Sequence, residues 1–109
     1  MKLLTKEILS KLKSNPRDDN NNKPWLKLFN PCGSQTWLLS EIEEDGDTLF
    51  GLCDLGMGSP ELGYVSMAEL RSIKFPPFGL PIERDLHWEA EKSIYNYAQE
   101  SRHLGYINT

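Results

Sequence analysis

Thr36-Trp37-Leu38-Leu39-Ser40-Glu41-Ile42, Glu43-Glu44-Asp45-Gly46-Asp47 and Thr48-Leu49-Phe50-Gly51-Leu52-Cys53 form the stretch whose reading decides the fold. The two outer runs have strand character. The polar pentad between them holds Asp45-Gly46, a strong hairpin signal because both turn positions tolerate positive φ. In the second run Leu49, Gly51 and Cys53 alternate with Phe50 and Leu52, so both faces are apolar. That pattern predicts a central strand covered on both sides.

Toward the N-terminus, Trp25–Phe29 reads as a further strand, closed by Asn30-Pro31 and Gly33-Ser34. Arg17–Pro24 is polar and reads as the one candidate linker. Before it, Leu4, Ile8 and Leu12 recur at helical spacing behind Thr5, a potential N-cap, and Ser14-Asn15-Pro16 ends the helix. The expected organisation is an N-terminal helix and polar linker over residues 1–24 and a single domain over 25–109. Whether the helix docks on the core or forms a mobile arm stays open.

Toward the C-terminus, 54–63 is too glycine-rich for a regular element, and Tyr64-Val65 resumes a short strand. Ser66-Met67-Ala68-Glu69 is a capping box opening a helix that turns Leu70 and Ile73 inward. Leu80–Trp88 alternates as a strand. Glu89–Leu104 reads as a helix with Ile94, Tyr97, Ala98 and Ser101 on one face and Gly105 closing it. The expected class is α+β: a mostly antiparallel sheet of about four to five strands, with helices packed on one face.

The chain has 109 residues, 39% hydrophobic and 26% charged, which suits one globular unit. Its net charge of −4 argues against a general polyanion binder and so against direct nucleic-acid binding. That charge is uneven: residues 1–30 carry a net +4, residues 31–66 a net −7 with no Lys or Arg, and the remainder −1. No apolar run is long enough to span a bilayer. Met1-Lys2-Leu3-Leu4 begins like an export signal, but Lys6, Glu7, Lys11 and Lys13 interrupt it. A cytoplasmic protein is therefore expected, with Cys32 and Cys53 as reduced thiols.

No motif names a reaction. Gly51, Gly56, Gly58 and Gly63 cluster within 13 residues, yet no phosphate-loop pattern or neighbouring lysine accompanies them, so no cofactor is expected. The loop reads instead as a shaped turn that aims a surface patch. Asp85 and His87 would share one strand face, a weak candidate metal pair, with Asp54 and Glu61 as the other acids that might converge with them. No zinc-type ligand spacing supports that pairing. Eleven aromatics include Trp25, Trp37 and Trp88, and an exposed tryptophan beside Met57 or Tyr64 would make an interface anchor.

Lys27-Leu28-Phe29-Asn30-Pro31-x-Gly33, Thr36–Glu41, the run from Phe50 to Ser66 and Leu80–Trp88 together carry a family likeness. With these segments the chain resembles a small bacterial family of domains of unknown function over about residues 25–105. The resemblance implies carriage on plasmids, integrative elements and phage-like regions, and a role in element maintenance, transfer or evasion of host defence. It supplies no catalytic residues.

Two expectations follow. The first is a non-enzymatic interaction module, an inhibitor of a CRISPR or restriction nuclease. Its acidic surface would comprise Glu41, Glu43, Glu44, Asp45, Asp47, Asp54 and Glu61, with Met57 and Tyr64 as anchors. Its partner would be a host or element-encoded protein with a basic nucleic-acid-binding surface. The alternative is a metal-assisted enzyme using Asp54, Glu61, Asp85 and His87.

Overall fold

The computed structural model describes residues 2–109. Helix α1 (Lys6–Ser14) precedes strands β1 (Leu26–Phe29), β2 (Thr36–Ile42), β3 (Thr48–Asp54) and β4 (Glu61–Ser66). Helix α2 (Met67–Ser72), the short strands β5 (Lys74–Phe75), β6 (Leu80–Pro81) and β7 (Glu83–Arg84), and helix α3 (Ile94–Leu104) complete the chain. Five strands form one antiparallel sheet in the order β4-β3-β2-β1-β7, so the fold is α+β as expected. β5 and β6 form a separate ribbon.

The caps lie where the side-chain chemistry puts them. Thr5 Oγ1 accepts from the Ile8 N–H and Ser66 Oγ from the Glu69 N–H. Gly105, at φ 80°, closes α3 through an N–H bond to the Ser101 carbonyl.

Strand alternation sends apolar side chains to both sides of the sheet, and both sides are covered. Leu26, Leu28, Trp37, Leu39 and Leu49 pack with Leu12 of α1 and with Met67 and Leu70 of α2. Leu38 and Leu52 pack with Ile94, Tyr97 and Ala98 of α3. The expectation of helices on one face is therefore corrected. Apolar residues on both faces of β2 and β3 need cover on each, and α3 supplies the second.

A bulge in β2 separates these environments. The register runs Leu39↔Gly51 and then Glu41↔Phe50, leaving Ser40 as the extra residue. Without it, Ile42 would turn away from Leu49 and Glu41 would enter the apolar layer. With it, Ile42 joins the cluster of α1 and α2, and Glu41 faces the other way.

Two element expectations change at the C-terminal end. Leu80–Trp88 is not one strand. β6 pairs with β5, Ile82 turns into the core, and β7 pairs with the edge of β1 through Phe29↔Glu83 and Leu28↔Arg84. Pro81 has no N–H to continue a ladder. Helix α3 begins at Ile94 rather than Glu89, because Ser93 caps it by accepting from the Asn96 N–H.

Residues 17–23 of the polar segment all take part in hydrogen bonds or an ion pair. Asn22 Nδ2 donates to the Pro16 carbonyl, and the Asn22 and Asn20 carbonyls accept from the N–H groups of Ile94 and Tyr95. Leu12 of the preceding helix is fully buried.

Candidate functional site

The acidic hairpin is the leading candidate from the sequence, and its carboxylates divide by task. Asp45 accepts from the N–H groups of Asp47 and Thr48, each at 2.8 Å, and from the Thr48 hydroxyl at 2.7 Å. The backbone bond from Thr48 leads the causes that hold its carboxyl below the usual aspartate value. Asp47 accepts from the Ser66 hydroxyl at 2.6 Å and the Ala68 N–H at 2.8 Å, joining the hairpin to the start of α2. Glu41 is buried, accepting from the Asp18 N–H at 2.8 Å and from Asn22 Nδ2 at 3.3 Å. Glu43 pairs with Arg17. Glu44 stands exposed.

Tyr64 is the point at which acidity and an exposed aromatic meet. It is 56% exposed, its ring lies 5.0 Å from that of Phe50, and its hydroxyl is 3.5 Å from Asp18 Oδ1. The register sets Tyr64 opposite Phe50 and Phe50 opposite Glu41, a row of three across one face of the sheet. Desolvation leads the causes that raise the Tyr64 phenol above its ordinary pKa, followed by the charges of Asp18, Glu43 and Glu41. Cationic groups are attracted both to aromatic ring faces and to carboxylates. Asp18 and Phe50 belong to this site and were missed from the sequence. Asp18 sits in the segment read as a linker, and its φ of 59° is invisible to pattern.

The remaining acidic candidates lie elsewhere. Asp54 is buried and accepts from the Gly56 N–H at 2.8 Å and the Ile107 N–H at 3.2 Å, tying the glycine loop to the C-terminal tail. Glu61 is exposed and sits opposite Cys53, on the sheet face that Tyr64 does not share. Met57 is 82% exposed on the glycine loop.

The three acids and the imidazole of the metal alternative do not converge. Asp85 pairs with Lys27 at 3.4 Å, and its Oδ1 accepts from the His87 backbone N–H rather than facing the imidazole. Among the described residues, no group of three or more His, Cys, Asp or Glu side chains could hold a metal ion. No helix among them is long and apolar enough to cross a membrane.

A concavity elsewhere is not announced by any one segment of the sequence. A groove of about 800 Å³ is lined by the first turns of α1, by residues 23–27 and by residues 84–90. The lysine surplus of residues 1–30, together with Trp25 and Trp88, was its signal, but only the fold brings these three segments together.

A model of the family described as Protein of unknown function (DUF2958) matches residues 3–108. No curated protein and no solved structure matches the chain.

Proposed function

The chain belongs to the DUF2958 family, whose description assigns no activity, and from its own surface we propose a non-enzymatic protein-interaction module of a mobile genetic element. The observation that carries this reading is the exposed Tyr64 ring on Phe50, bordered by the carboxylates of Asp18, Glu41 and Glu43. A lysine or arginine of a partner would meet the exposed ring face and the exposed Asp18 carboxylate, while buried Glu41 and Arg17-paired Glu43 act only through their charge. Because several hairpin acids are spent on internal bonds, the docking face is narrower than the whole acidic block. It centres on Tyr64, with Glu43 beside it and exposed Glu44 on the same hairpin loop. The element setting implied by the resemblance makes the partner a host or element-encoded protein. A basic nucleic-acid-binding surface, such as that of a CRISPR or restriction nuclease, is the chemistry that fits.

The test compares proteins retained from host lysate by the wild type and by Tyr64→Ala and Glu44→Ser variants. Retention of a basic nucleic-acid-binding protein, released by salt and lost with Tyr64→Ala, supports the reading. Identical retention by wild type and Tyr64→Ala would overturn it.

A further inference from the structure

The groove between α1 and residues 84–90 has the opposite electrostatic character from the hairpin. Lys6, Lys11, Lys23, Lys27 and Arg84 line it, against Glu7, Asp85 and Glu89, so it carries a local net of +2 in a chain of −4. Part of that charge is already engaged. Lys27 is held by Asp85 at 3.4 Å and by the Thr109 hydroxyl at 2.7 Å, Lys11 bonds Glu7 at 3.3 Å, and Arg84 Nε donates to the Lys2 carbonyl. Lys6 and Lys23 are exposed, with no ion-pair partner among the described residues.

The same groove is lined by two tryptophans. Trp25 is 37% exposed and carries the Lys11 ammonium 4.8 Å from its ring centroid. Trp88 is half-buried, with its ring 6.1 Å from that of Tyr97. Ammonium groups suit phosphate oxygens as point charges, and indole faces suit stacked planar rings. Both chemistries line one groove, in a space of the size that small-molecule sites occupy.

The geometry points to a nucleoside-phosphate site in this groove, with the base stacked on Trp25 or Trp88 and the phosphate met by Lys6 and Lys23. The whole-chain charge that argues against a general polyanion binder does not bear on so local a cluster. A nucleoside phosphate can come as a free nucleotide or as a unit of a single strand, and the two sources present the same base and phosphate.

Intrinsic tryptophan fluorescence and calorimetry on the full chain test the assignment with ADP, adenosine, pyrophosphate and an oligothymidylate as probes. Saturable binding of ADP, stronger than that of adenosine or pyrophosphate, is expected. Preference for the oligothymidylate would instead identify a strand as the source and equally support the site. Lys6→Glu with Lys23→Glu changes exposed residues only and should raise the dissociation constant at least about tenfold. Trp25→Leu should weaken ADP while sparing pyrophosphate, with circular dichroism confirming the fold. No saturable binding of ADP or oligothymidylate to about 1 mM, equal binding of pyrophosphate and ADP, or affinity unchanged in the lysine variant would each overturn it.

Discussion

Gly51 lies opposite Leu39 across the β2–β3 ladder, and a Cβ on Gly51 would stand 1.9 Å from the Leu38 carbonyl oxygen and 2.7 Å from the Leu39 Cα. Both are backbone atoms of a fully covered central strand, so neither can swing aside. The approach sits where the register shifts at Ser40, the bulge that turns Ile42 into one core layer and Glu41 toward the other face. Gly51 therefore permits the step that sorts the two faces.

Gly51→Ala should be severely destabilising, costing more than the ~1–3 kcal/mol typical of overpacking, because backbone must move to admit it. Its ladder partner Gly63 is the control. It pairs with Gly51 on β4, and a Cβ there would meet nothing within 4 Å. Gly63→Ala should leave stability within about 0.5 kcal/mol of wild type or raise it slightly. Urea denaturation of both variants decides the matter, and comparable stabilities would refute the close-approach account.

Glu41 shows that acidity along the chain is not acidity at the surface. Glu41→Ala would strand the Asp18 N–H and remove one acceptor from Asn22, and should cost about 1–3 kcal/mol. Glu44→Ser, at an exposed position, should change stability by less than about 0.5 kcal/mol. Thermal melts of the two variants check this. An undisturbed Glu41→Ala melt would show that the 17–22 segment is not held through this carboxylate.

Local chemistry was legible in advance wherever one residue decides it. Thr5, Ser66, Gly46 and Gly105 announce their caps and turn, and the helix face of Ile94, Tyr97, Ala98 and Ser101 follows from spacing. What resisted reading depends on partners distant in sequence. That Leu38 and Leu39 feed different layers is visible as alternation, but which helix covers each layer is a property of topology. Glu41, Asp47 and Asp54 read as surface charge because their partners, Asp18, Ala68 and Ile107, lie 23, 21 and 53 residues away. The groove is the same case, since Lys6, Lys23 and Trp88 share no local motif.

The two cysteines should differ sharply in reactivity and in their effect on alkaline stability. Both are free, Cys32 exposed and Cys53 packed against the core cluster of α1 and α2. Burial pushes the Cys53 thiol from 9.0 up to about 11. The thiolate is the reactive form, so at pH 8 a thiol reagent should modify Cys32 promptly and Cys53 only when the protein unfolds. In the unfolded chain Cys53 ionises near pH 9, whereas the folded chain keeps its proton to about pH 11. The unfolded state therefore binds fewer protons across that window, and stability present below pH 9 is lost as pH rises through it. The loss is at most ~3 kcal/mol. Tyr64 and Lys92, whose pKa values are also raised, act in the same direction, so Cys53→Ala is needed to isolate the thiol's share. Denaturation between pH 8 and 11 should show a shallower decline for Cys53→Ala than for wild type. Parallel declines, or equal labelling rates for the two thiols, would place Cys53 in contact with water rather than in the core.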